Sequence, residues 1–147
     1  MTNRNFALIA TILALSVFLQ GTPIFSILDL KPNLALAVLL AAAMFVPEFW
    51  DFFLLTLLAF VILATFPGFG LGFLLPPVFA IAAYFLHRFL FWRRIVNLGL
   101  LIILFTVLTY LFLDWQYLIG HPFLLLGEVL YNSFASLLYF SLFLFLF

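Results

Sequence analysis

The chain has 147 residues, of which 69% are hydrophobic and 7% charged, with five basic and five acidic side chains that cancel. A soluble domain carries about a quarter of its residues as Asp, Glu, Lys or Arg, so a water-covered globule is excluded, and the low polarity excludes a disordered chain. A net charge of zero also removes the electrostatic footprint that nucleic acid requires.

What remains is an integral membrane protein. At about 20 residues per spanning helix, 147 residues allow at most about seven spans, which leaves room for a single bundle and no separate domain. The absence of Cys removes disulfides, thiolate chemistry and Cys-ligated metals. Arg4 followed by the apolar run from Phe6 to Leu19 has the outline of a signal peptide, but Gln20, Gly21, Thr22 and Pro23 supply no small-x-small cleavage site. A retained first helix is expected.

Apolar character is nearly continuous, so boundaries are set by breakers and charges. Six segments are expected, at 5–20, 32–46, 48–66, 71–92, 96–113 and 122–147. The first stops at Gly21, Thr22 and Pro23, and the second opens with Pro32 in its first turn. That second segment is short for a span, since 15 residues from Pro32 to Val46 rise only about 22 Å against a hydrocarbon core of about 30 Å. It is either a short helix or half of a re-entrant pair. Pro47, Glu48 and Asp51 mark the third start, and Pro67 with Gly68 and Gly70 its end. Pro76 and Pro77 predict a kink or a late start in the fourth, which closes in the cluster His87, Arg88, Trp92, Arg93 and Arg94. Asp114 to His121 read as a loop before the sixth.

The positive-inside rule places Arg4 and the arginine cluster on one side, separated by an even number of crossings, and Lys31 on the other. Both termini are then cytoplasmic.

Glu128 is the one acid well inside an expected span, and a charged residue there costs roughly 2.5–3.5 kcal/mol on insertion scales. Asn132, Ser136 and Tyr139 follow at helical spacing, forming one polar stripe that should face the bundle interior. Its functional reading is a proton or ligand site; its plainer reading is hydrogen bonding between helices. Arg88, Trp92, Arg93 and Arg94 form a candidate lipid- or partner-docking loop. Gly68, Gly70 and Gly72 lack the Lys and Ser/Thr of a phosphate loop. No metal, cofactor or catalytic set is expected: the two His residues fall on opposite faces, and neither shares a depth with an acid and a Ser.

The order of features resembles the rod shape-determining MreD family of bacterial inner-membrane proteins. Lys31, Pro32, Asn33 and Leu34 resemble the family's opening of the second helix. Pro67, Gly68 and Gly70, leading to Tyr84 and Arg88, resemble its central Pro-x-Gly turn and basic-ended helix, and Leu126 to Tyr131 and Asn132 its closing run. The family's Asp before the Pro-Gly turn has no counterpart in Ala59 to Phe66, nor does its basic tail after Phe147. The resemblance implies a non-enzymatic scaffold of the peptidoglycan elongation complex, working with the bitopic protein MreC and wall-synthesis enzymes. It also implies a bundle similar to the substrate-binding S components of energy-coupling factor transporters. That similarity supplies the alternative, a subunit binding a small vitamin.

Overall fold

In the computed structural model, described for residues 2–22, 33–65, 70–90 and 93–147, the described residues are helical with no strand. Seven α-helices are seen: α1 (Asn3–Gln20), α2 (Leu34–Ala43), α3 (Phe49–Ala64), α4 (Leu75–Phe89), α5 (Arg94–Leu113), α6 (Trp115–Gly120) and α7 (Pro122–Leu146). A 3-10 turn at Gly70–Leu74 leads into α4. Lys31, Pro32, Pro67, Gly68 and Trp92 lie outside the described residues.

Four helices are long and apolar enough to cross a membrane: α1, α5, α7, and α4 taken with its preceding turn as Gly72–Phe89. The other two apolar helices, α2 and α3, are shorter, at 10 and 16 residues. Of the six expected segments, four hold long helices and two hold shorter ones, the second among them as expected. Pro76 and Pro77 sit in the first turn of α4, where missing N–H groups cost no helical bond, so the segment expected from 71 starts late rather than kinking. Arg93 and Arg94 do not end that segment; Arg93 is the N-cap position of α5 and Arg94 its first residue. The stretch read as a loop after Asp114 holds α6.

α2 is the centre of the bundle. All ten of its residues are buried, and α1, α3, α4, α5 and α7 all pack on it. A helix that is apolar on every side is stable only when surrounded. Between helices in lipid the attraction comes from close packing, and Ala35, Ala37, Ala41, Ala42 and Ala43 allow the neighbouring backbones to approach. Ten residues rise about 15 Å, half the hydrocarbon thickness, so one end of α2 must lie deep in the bundle.

The long helices are built inside out relative to a soluble protein. On α7, Glu128, Asn132, Ala135, Ser136, Phe140 and Phe143 are buried, while Leu126, Leu130, Phe134, Leu138 and Phe145 are exposed. Polar residues inward and Leu or Phe outward is the pattern of a helix whose outer face meets lipid or another apolar helix.

Candidate functional site

Two polar nodes hold the ends of α2. The first surrounds its N-terminus. A helix start leaves four N–H groups without helical partners, and in hydrocarbon each must be satisfied by protein. Asn33 caps the helix by accepting from the Leu36 amide at 3.0 Å. The Ala35 amide donates to Gln20 Oε1 at 2.8 Å, and the Asn33 amide to Asn132 Oδ1 at 2.7 Å. Asn132 Nδ2 in turn donates to Thr106 Oγ1 at 3.1 Å. One cap therefore draws on α1, α5 and α7 together. Asn132 follows Pro122 by ten residues, about 15 Å along α7, so the node sits near mid-depth. Nearer the other end, Tyr139 donates to Ser16 Oγ at 2.7 Å, tying α7 to α1.

The second node closes the opposite end. α2 stops at Ala43 because Pro47 follows: the residue before a proline leaves the helical region, and the Met44, Phe45 and Val46 amides fold back onto the Ala41 and Ala42 carbonyls. Tyr84, stacked on Phe52 at 4.8 Å, donates its hydroxyl to the Pro47 carbonyl at 2.8 Å. Arg88 donates to the same carbonyl at 2.8 Å and to the Tyr84 hydroxyl, with its guanidinium 4.4 Å from the Tyr84 ring centroid. Met44, Pro47, His87, Arg88 and Arg94 line a cavity of about 250 Å³ beside this node.

The four residues of the α7 stripe all turn inward, and the structure divides them. Asn132 and Tyr139 are bonded to other helices. Glu128 forms no hydrogen bond or ion pair among the described residues, and Ser136 Oγ is buried without a partner. These two are eight residues apart, about 12 Å along the helix, which is too far for both to act on one atom. Tyr131, beside the stripe, is half-buried. Of the basic loop, Arg88 and Arg94 reach the cavity and Arg93 does not line it. Asn33 is consumed in capping α2. Gly70 opens the 3-10 turn that leads into α4 and does not line the cavity. Among the described residues no group of three His, Asp or Glu is placed to hold a metal.

Sequence reasoning gave no site role to Gln20, Thr106 or Tyr84. Gln20 read as the end of a segment, although a long amide at the foot of one helix is a natural cap for the next. Tyr84 and Arg88 do carry a local signal, being four apart on one helical face.

Because Glu128 forms no hydrogen bond or ion pair among the described residues, Glu128→Leu is expected to leave the fold intact and to raise stability, by no more than the roughly 2.5–3.5 kcal/mol insertion cost of a charged side chain. Equilibrium unfolding in mixed SDS and mild detergent checks this. A loss of stability would show that the carboxyl holds a structural partner. Compared with known proteins, the chain matches no family model, no curated protein and no solved structure.

Proposed function

We propose that the protein is a non-enzymatic scaffold of the bacterial inner membrane, MreD-like, which holds other membrane proteins of the peptidoglycan elongation complex against its helix faces. The observation that carries this reading is the fate of the interior polar groups. Gln20, Asn33, Thr106, Asn132, Ser16 and Tyr139 bond to one another or to backbone and close the core. A vitamin-binding subunit needs such groups left free around a pocket of several hundred Å³; on α7 the unbonded ones, Glu128 and the Ser136 hydroxyl, are spaced about 12 Å apart along the helix, and Asn33 is committed to the helix cap. The outer faces of α3, α5 and α7 meanwhile present exposed apolar side chains, mostly Leu, Ile and Phe, a surface that meets lipid or packs against a neighbouring helix by van der Waals contact. With both termini and the arginine end cytoplasmic, as the charge distribution supports, the partners are a bitopic MreC-like protein and wall-synthesis enzymes.

Co-purification tests the reading. The chain, tagged at its N-terminus and extracted from native membranes in mild detergent, is expected to recover an MreC-like protein or a wall polymerase. Recovery of a transmembrane coupling subunit with a pair of ATPases would replace the scaffold with a transporter.

A further inference from the structure

The arginine end of the bundle carries a feature that scaffolding does not use. Arg88, Arg93 and Arg94 form no ion pair with a carboxylate among the described residues, and Arg88 and Arg94 converge with His87 on the cavity of about 250 Å³. No Asp or Glu lines it. Arg88 is fixed in place by Pro47 and Tyr84 through one nitrogen, Nη2, which leaves its other guanidinium N–H groups to serve a ligand. Arg94 lies 5.9 Å from the Phe45 ring centroid and acts electrostatically on His87.

Backbone adds to the charge. α5 begins at Arg94 with no side-chain cap at Arg93, so a 20-residue helix has its positive end at this rim. At the negative end of α2, the Ala41 and Ala42 carbonyls accept hydrogen bonds from the Met44, Phe45 and Val46 amides, and the Pro47 carbonyl beyond it accepts from Tyr84 and Arg88. The residues flanking the cations, Phe85, Leu86 and Phe89 on α4 and Ile95 and Val96 on α5, are exposed and apolar. A cationic hollow edged by apolar side chains at the end of a membrane bundle matches a phosphate carried on an acyl chain. The volume falls below that of sites for drug-sized ligands and suits a headgroup.

We infer that the cavity between the end of α2, the last turn of α4 and the first turn of α5 binds the phosphate ester of an anionic phospholipid through Arg88 and Arg94. The inference stands apart from the scaffold reading, and its test needs no partner protein.

The full chain in mild detergent is titrated with phosphatidylglycerol and phosphatidylcholine in equal amounts, and bound lipid is counted by native mass spectrometry. Phosphatidylglycerol is expected to predominate. Arg94→Gln should cut its binding about fivefold, the typical worth of one cation near an anionic headgroup, while Arg93→Gln, outside the cavity, should change it by less than about twofold on the same scale. A second arm compares sodium phosphate with sodium chloride at matched ionic strength. A rise in melting temperature with phosphate in the wild type and not in Arg94→Gln, without a lipid preference, would keep the site and make a soluble phosphate its ligand. Equal losses in the Arg93 and Arg94 variants, or neither lipid preference nor phosphate effect, would overturn the proposal.

Discussion

Asn132→Leu should lower stability by about 2–4 kcal/mol, although leucine fills a similar volume and suits a bundle core better. The loss comes from what the amide leaves behind. Asn132 Oδ1 takes the Asn33 N–H at 2.7 Å, and that donor lies at a helix start near mid-membrane where water does not replace the acceptor. An orphaned backbone donor of this kind costs about 1–3 kcal/mol. Asn132 Nδ2 also leaves Thr106 Oγ1, at 3.1 Å, and a side-chain bond between helices in a membrane averages about 0.6 kcal/mol. Thr106→Val removes that weaker bond alone and is expected to cost roughly that 0.6 kcal/mol. Unfolding titrations of both single variants and the double variant separate the terms. Equal losses in the two single variants would mean that the Asn33 amide finds another acceptor, and the node would then be a packing contact rather than a cap. The same substitution distinguishes the two orphaned members of the stripe from the bonded ones: Glu128→Leu, one turn away on the same face, is expected to change stability in the opposite direction.

That contrast marks how far the sequence carries. The inward face of α7 is legible from spacing alone, since Glu128, Asn132 and Ser136 recur at steps of four among Leu and Phe, and a polar residue that faces lipid is costly. Which members are bonded is not legible, because the partner of Asn132 is the backbone of a residue 99 positions earlier. The shortness of α2 is visible in the distance from Pro32 to Pro47, but its place at the centre depends on five neighbours chosen by tertiary packing. The boundary between α4 and α5 is displaced in the sequence reading for a physical reason. Basic residues favour a helix C-terminus, which draws Arg93 and Arg94 toward α4, and no Pro lies between Val78 and His121 to mark where one helix yields to the next. The arginines begin α5 instead, and it is this that turns a charge cluster into two sides of a cavity.

Tyr84→Ala is expected to be the most destabilising substitution at the arginine end, by about 3–5 kcal/mol, the range for removing a large buried aromatic. Tyr84 is fully buried, stacks on Phe52 at 4.8 Å and packs against Phe49 with centroids 5.7 Å apart. Truncation opens a void between α3 and α4 that rigid helices close only in part. Tyr84→Phe keeps the rings and deletes the hydroxyl, so its cost should be near 1 kcal/mol. The Pro47 carbonyl retains Arg88 as a donor in that variant, which spares it the full penalty of an unsatisfied acceptor. Unfolding titrations give the two values, and a phenylalanine variant as damaged as the alanine one would show that the hydroxyl rather than the ring holds the helices together. Lipid counting on the same two proteins then separates packing from positioning. With the ring present Arg88 still rests on an aromatic face and on Pro47, so phosphatidylglycerol binding should survive Tyr84→Phe; with the ring gone the guanidinium loses both its platform and its fixed direction, and the preference for the anionic lipid should fall even in molecules that remain folded.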